Sequence, residues 1–327
     1  MRWDSRQLEA LAAVVAEGSF DAAARALHVT PSAVSQRIRA LENAAGSVLV
    51  RRARPVVATA SGQALLRLAR QTELLGAEVA AELGANGVGD GPGEGADGGT
   101  ADTFVTVPLA VSADSLATWV LPALAQVDGV TFDLHRADDS RTADLLREGV
   151  VMAAVTSQTA QVQGCRSTPL GIMRYRPACT RAFARRWFPH GPTPEALAAA
   201  PVIVFDRTDD LQDMYLRERA PEARPPRHHV PSTIEYEETI YLGLGWGMLL
   251  VKPSLGGRPA GSDITPLEAG TVVDVPLYLQ QWKLRSAVLD RVAAALRKEA
   301  TRELLPASTL DVPPSLTLIQ PYRTSES

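Results

Sequence analysis

This chain has little of what many protein classes require. Two cysteines in 327 residues, Cys165 and Cys179, give no disulfide framework. A redox pair is one reading of them; inert buried thiols are the commoner fate. No uninterrupted apolar run reaches the roughly 18 residues of a membrane span. The opening MRWDSRQLEA lacks the apolar stretch of a secretory leader, so the cytoplasm is the expected compartment. No Ser/His/Asp arrangement and no paired-carboxylate motif stands out, so catalysis is not expected. The segment GLGWG (Gly243 to Gly247) is not followed by a phosphate-binding lysine motif, which argues against a nucleotide site. His228 and His229 are adjacent, and adjacent side chains rarely chelate one ion. Neither a metal nor a cofactor is expected.

An excess of positive charge is lacking overall but present locally. The formal net charge is −4, yet residues 1–70 hold ten arginines, no lysine and five acidic residues, a net of +5 against −9 for the remainder. Attraction to phosphate follows the local field, so an acidic whole chain does not exclude a nucleic-acid-binding segment. Hydrophobic residues make up 46%, enough for real cores, and the length predicts about two domains or more.

The basic segment reads as three helices and a ribbon. Leu8, Leu11, Ala12 and Val15 share one helical face between Ser5 and Glu17. Gly18 ends that helix and Ser19 caps a second through Leu27. Thr30 caps a third with Pro31 at its first position, where the missing N–H costs nothing, and Gly46 stops it. On the third helix Val34, Ile38 and Leu41 cluster on one side, while Ser32, Gln36, Arg39 and Asn43 lie opposite with Ser35 at the edge. Hydroxyls, an amide and a guanidinium on one face suit base edges and phosphates: Gln pairs with adenine and Arg with guanine. Arg37 lies nearer the core edge and suits a phosphate or packing contact. VLVRRARPVVATASG reads as two short strands with Arg51, Arg52 and Arg54 at their turn, a wing. The ordinary alternative, an amphipathic helix with a solvated face, explains neither the wing arginines nor the tight turn.

A long helix is expected over residues 61–83. Leu65, Leu68, Thr72, Leu75 and Val79 recur in steps of three and four, a short coiled-coil seam that predicts a homodimer. The other reading has this stripe packing on its own chain. Residues 84–102 are Gly-rich and acidic, a flexible linker. From Phe104, strand and helix patterns alternate through FVTVPLAVS, DSLATWVLPALAQV, VTFDLHRAD, SRTADLLREG and VVMAAVT. A second set, APVIVFD, STIEYEETIYLG, GWGMLLVKP, VPLYLQQWKL and SAVLDRVAAALRKEA, suggests a second lobe. The pattern predicts an α/β domain with a mostly parallel sheet over residues 103–305, then a fraying tail over 306–327.

At this point the chain resembles a family. FDAAARALHVTPSAVSQRIRALENAAGSVLVRR is similar to the DNA-binding signature of LysR-type transcriptional regulators, and the α/β remainder resembles their effector domain. Where the family commonly opens its recognition helix with Ser-Gln-Pro, this chain has Thr30-Pro31-Ser32, so no base preference is carried over. VPLAVSADSLATWVLPAL, RTADLLREGVVMAAVT and FDRTDDLQ resemble the ArgP/LysG (IciA-like) branch. The resemblance implies a winged helix-turn-helix over residues 1–60 with DNA contacts from Thr30, Ser32, Ser35, Gln36, Arg37, Arg39, Arg51, Arg52 and Arg54. It implies a two-lobed, periplasmic-binding-protein-like effector domain and a basic amino acid, lysine or arginine, as effector. It also implies control of an exporter or related metabolic gene, a homodimer that pairs into a tetramer, and RNA polymerase as a candidate partner. The rival reading is an amino-acid-binding protein without DNA activity.

Candidate effector residues follow from strand ends and helix starts. Ser112, Asp114 and Ser115 sit where the first strand meets its helix, a place that favours a carboxylate. Asp114 suits an ammonium group or a helix cap. Thr156 closes VVMAAVT, at a strand end of the kind where α/β ligands gather. Asp206, with Asp209 and Asp210, follows VIVF and suits the cationic end of lysine or arginine. Asp138, Asp139 and Thr233 are further candidates; for the acids, a solvated loop carboxylate is the ordinary alternative.

Overall fold

The computed structural model of the chain describes residues 3–51, 53–86, 104–137, 139–251 and 263–307. The N-terminal unit consists of α1 (Ser5–Glu17), α2 (Phe20–Ala26) and α3 (Pro31–Ala45), then a ribbon of β1 (Val50–Arg51) and β2 (Val57–Ala58), then the long helix α4 (Ala60–Asn86). Side chains cap the helices where the sequence pattern places the caps. Ser19 Oγ accepts the Ala22 N–H at 3.1 Å and Thr30 Oγ1 accepts that of Ala33 at 3.2 Å. Gly18 and Gly46 close α1 and α3 in the left-handed region, at φ 67° and 66°. In the turn between α2 and α3, His28 takes φ 52° although it is not glycine.

Leu8, Leu11, Val14, Val34, Ile38 and Leu41 fill the core of this unit, with Leu49, Val50 and Val56 from the ribbon and Leu65, Leu66 and Ala69 from α4. Each of the Leu, Ile and Val side chains contributes about 1.5–3 kcal/mol by leaving water. The first turn of α4 is pressed against the ribbon. A Cβ on Gly62 would fall 1.9 Å from the Leu49 carbonyl oxygen, so only glycine allows this approach.

The second unit contains β3 (Val105–Val111), then a continuous helix that starts as α5 (Ala113–Ser115), widens to a π turn over Leu116–Val120 and ends as α6 (Leu121–Leu124). β4 (Val130–Arg136), α7 (Asp139–Arg147), β5 (Ala153–Thr156) and the sixteen-residue strand β6 (Cys165–Thr180) follow. Next come α8 (Arg181–Trp187), α9 (Pro194–Ala199), β7 (Val202–Val204), α10 (Leu211–Arg219), β8 (Arg227–His229), α11 (Thr233–Tyr241) and β9 (Gly247–Leu250). β10 (Ile264–Pro266), β11 (Val273–Trp282) and α12 (Ala287–Glu303) complete it.

The main sheet has the order β10-β6-β11-β5-β3-β4, with β9 also on β6. It is mixed, which corrects the expectation of a mostly parallel sheet. β3 runs parallel to β4 and β5, but β11 is antiparallel to β5 and β6, and β6 to β9 and β10. The two long strands β6 and β11 cross between the lobes side by side, each carrying its lower half in one lobe and its upper half in the other. The register shifts between Leu277 and Tyr278, where Pro169 lies opposite Tyr278. A proline in a central strand is accommodated at such a bulge.

One apolar core runs through both lobes. It includes Trp119 and Trp282 of the first lobe and Tyr215 and Trp246 of the second, the latter pair edge to face at 5.5 Å. Leu74 of α4 is buried in the same core. Helix α4 thus presents Leu66, Ala69 and Leu74 to its own chain. Of the seam residues, Leu65 is also buried inward, while Thr72 and Val79 are exposed and Leu68 and Leu75 half-buried. The first three residues of the expected linker, 84–86, continue the helix. The rest of that segment and the tail from 308 lie outside the described residues. Among the described residues, no helix is long and apolar enough to cross a membrane.

Candidate functional sites: a DNA-facing helix and an acidic cavity

Helix α3 turns Val34, Ile38 and Leu41 into the core, all essentially without exposure. That anchors the helix and fixes the opposite face outward. Ser32, Gln36, Arg39 and Asn43 are exposed there, and Ser35 and Arg37 are half-buried at its margins. Thr30 caps the helix start, so its hydroxyl serves an internal amide as well as facing solvent. The helix is tied to the wing through Glu42, whose Oε1 accepts the Leu49 N–H at 2.9 Å. Arg51 and Arg54 of the wing are exposed; Arg52 lies outside the described residues. The arrangement puts a polar helix face and arginines on one basic unit, the requirement for reading a groove while gripping phosphates.

In the second unit a cavity of about 460 Å³ opens at the C-terminal ends of β3 and β4. Ser112, Asp114, Arg136 and Arg141 line it from the first lobe, and Asp206, Asp209, Gln212, Thr233 and Tyr236 from the second. Met173, Tyr175, Val275 and Leu277 of the crossing strands form its floor. This is the strand-end location that open α/β sheets use for ligands.

Asp114 is the deepest carboxylate. Its Oδ2 accepts the Tyr175 hydroxyl at 2.7 Å and its Oδ1 accepts the Thr233 hydroxyl at 3.1 Å. Burial pushes its carboxyl above the usual range, and these two hydrogen bonds only partly offset that. Asp114 does not cap α5. Ser112 does, accepting the Ser115 N–H at 3.4 Å. Burial also raises Asp209, which accepts the Phe205 and Leu211 N–H groups at 3.0 and 3.1 Å. Asp206 is more open. Desolvation opposes its ionisation, but Thr208, the Asp209 N–H and nearby Arg136 outweigh it and hold the carboxyl below its ordinary value. Asp210 is paired with Arg217 at 2.6 Å. The Gln212 side chain donates to the Tyr236 hydroxyl at 2.8 Å, while its Oε1, buried on the cavity wall, has no hydrogen-bond partner among the described residues.

The structure therefore gathers Ser112, Asp114, Asp206 and Thr233 around one space. It keeps Ser115 and Thr156 out of it. Ser115 is fully buried with its hydroxyl on Ser112, and Thr156 turns inward at the end of β5, where its Oγ1 accepts the Gln158 N–H; the neighbouring Ser157 faces the cavity instead. Successive strand residues point to opposite faces, and a one-residue difference decides which side chain reaches the ligand. Asp138 lies outside the described residues, and Asp139 opens α7. The sequence reading missed Tyr175, Arg136, Arg141, Gln212 and Tyr236, because nothing local marks a tyrosine within a strand or an arginine at its end as cavity-facing.

Cys165 and Cys179 sit near opposite ends of β6, roughly 45 Å apart along an extended strand, far beyond disulfide reach. Both are buried, and burial pushes their thiols up to about 11 and about 12. These are properties of inert thiols, not of a redox pair. Among the described residues no group of three or more His, Cys, Asp or Glu is arranged to hold a metal ion.

Residues 5–63 match the model of the bacterial regulatory helix-turn-helix proteins of the LysR family. The HTH-type transcriptional regulator LysG of Mycobacterium tuberculosis is 44% identical over 299 residues, covering 91% of this chain and 94% of that one. The crystal structure of ArgP from the same organism superposes with a TM-score of 0.79 at 43% identity, covering 93% and 99% of the two chains. Full-length LysG from Corynebacterium glutamicum with bound effector Arg superposes with a TM-score of 0.72 at 34% identity, covering 93% of this chain and all of the other.

Proposed function

Because this chain belongs to the LysR family of bacterial transcriptional regulators, we propose that a basic amino acid bound in its cavity sets how it holds promoter DNA. The observation that carries this is the cavity's charge. The half-buried carboxylates of Asp114 and Asp209, largely desolvated, and the Gln212 Oε1, without a hydrogen-bond partner among the described residues, face this space, while Arg136 and Arg141 line it. A ligand with a cationic head and a carboxylate is complementary in charge to both sets. The guanidinium or ammonium head enters toward Asp114 and Asp209, and the α-carboxylate meets the arginines. Asp206, held ionised at the more open side, attracts the α-ammonium. The related LysG structure that holds Arg supports the same ligand class.

Calorimetry with L-arginine, L-lysine and L-histidine tests this. Asp114→Asn or Asp209→Asn leaves a buried cation short of a partner, so L-arginine affinity falls about thirtyfold or more. Asp213→Asn, outside the cavity and paired with Arg227, leaves it unchanged. Equal affinities in all four proteins would remove the cavity from the mechanism.

The quaternary and cellular parts of the proposal rest on the family and on α4. Two chains pair along Leu68, Thr72, Leu75 and Val79, and the two α3 helices enter successive major grooves about 34 Å apart. Two such dimers make a tetramer whose geometry the effector shifts, since it binds the two arrangements unequally. The protein works in the cytoplasm, and RNA polymerase is the partner that reads the change, at a promoter for an amino-acid exporter or a related metabolic gene.

A further inference from the structure

Outside both sites, α4 grips the effector domain at two helix ends of opposite polarity. Arg67 Nη1 donates to the Arg147 carbonyl at 2.8 Å, and Arg70 Nη1 to the Gly149 carbonyl at 2.5 Å. The first carbonyl belongs to the last residue of α7 and the second to the turn just past its end. Farther along α4, Glu78 Oε1 accepts from the Ser286 hydroxyl and from the Val288 N–H at 3.1 Å, at the start of α12. A helix is partially negative at its C-terminal end and positive at its N-terminal end. The cations of α4 meet the first and its carboxylate meets the second, so one register of α4 satisfies both. Gly149, at φ 69°, makes the room: a Cβ there would lie 2.9 Å from Arg67 Cγ and 2.8 Å from the Trp282 ring.

The same helix α7 reaches the ligand. It has nine residues, about 13 Å from end to end. Arg141 near its start lines both the ligand cavity and the cleft between the DNA-binding unit and the first lobe. One short rigid element therefore touches the effector at one end and is held by α4 at the other.

We propose that Arg67, Arg70 and Glu78 are positioning residues, a latch that sets the angle of the DNA-binding unit and that effector binding strains through α7. Closure on an amino acid draws Arg141 further into the cavity, tilts α7 and pulls the carbonyls of Arg147 and Gly149, at and just past its end, away from Arg67 and Arg70. This rests on the reading of the cavity as the effector site. Coupling is reciprocal: if ligand weakens the latch, weakening the latch tightens ligand binding, by the fivefold or more usual for such couplings.

The test uses the full chain. Calorimetry with L-arginine compares wild type with Arg67→Ala/Arg70→Ala and with Glu78→Ala, which removes the acceptor of both bonds. Affinity about fivefold tighter or more in both variants is expected, although none of the three residues lines the cavity. Arg67→Lys/Arg70→Lys, which still donates to the carbonyls, returns affinity toward wild type. Unchanged or weaker binding in these alanine variants overturns the latch. A ligand-free arm separates the two proposals. Dyes on Glu9→Cys and Ala125→Cys, in doubly labelled chains diluted into unlabelled protein, report the angle of the DNA-binding unit. A change in energy transfer in the Arg67→Ala/Arg70→Ala protein is expected, and transfer identical to wild type overturns the latch. If wild type binds none of the basic amino acids, the cavity reading fails alone and the energy transfer still decides the latch.

Discussion

The Thr233 hydroxyl donates to the Asp114 carboxylate at 3.1 Å, and the two residues belong to different lobes. This bond and that from Tyr175 partly replace the water that a half-buried carboxylate loses. Asp114 has its pKa raised by burial. Its contribution to stability is therefore fully present below the ordinary carboxylate value near 4 and is lost as pH rises through the higher folded-state value. Asp114→Asn has no such titration. Thermal midpoints of wild type and variant, measured from about pH 4 to about pH 8, should diverge in favour of the variant as pH rises. Added L-arginine should restore the wild type most at the alkaline end, since it supplies the missing cation. A constant difference between the two proteins across that range would show that Asp114 does not titrate as its burial requires.

Gln36 and Arg54 should fail in different ways. Gln36 is exposed on the outer face of α3 and Arg54 on the wing. Gln36→Ala should cost about 1–3 kcal/mol on the specific site and little on random DNA, because an amide reads a base edge. Arg54→Ala should weaken binding to all sequences and lower the salt slope by about 1, because a phosphate contact releases a counterion. Fluorescence anisotropy against operator and scrambled duplexes over a salt series separates the two. The same loss on both duplexes for Gln36→Ala would take that residue out of base reading.

Leu75 and Val79 belong to the face of α4 turned away from its own chain, and Val79 is 53% exposed. A charge at either position in a paired seam would be buried without a partner. Leu75→Asp and Val79→Asp should shift sedimentation toward half the wild-type mass while the circular dichroism melt of the effector domain stays in place. Unchanged mass in both variants would mean that the stripe does not hold two chains together.

The N-terminal unit was legible because its information is local. Gly18, Ser19, Thr30-Pro31 and Gly46 mark helix ends by their own backbone chemistry, and Val34, Ile38 and Leu41 fix the facing of α3 through spacing alone. The family likeness was carried by the same stretch. The effector domain was legible as alternating strands and helices, but not in its sheet. Pro169, Gly171 and Pro177 disguise β6, the strand on which β9, β10 and β11 all pair. The cavity was half legible. Acids after strand ends, Asp114 and Asp206, stand out by position, and hidden partners such as Tyr175 become neighbours only through pairings some 60 residues apart in sequence. Ser115 and Thr156 were candidates by neighbourhood, and the facing of one residue at a helix start or strand end turned them inward.

Leu74 is buried in the effector-domain core although it belongs to the helix that leaves the DNA-binding unit. The end of α4 is therefore not the seam along which the protein comes apart into exchangeable modules. Sensor chimeras that graft this effector domain onto another DNA-binding unit need α4 from Arg67 onward to travel with the graft. A junction placed after residue 86 would strip Leu74 out of the core and leave an apolar socket open to water.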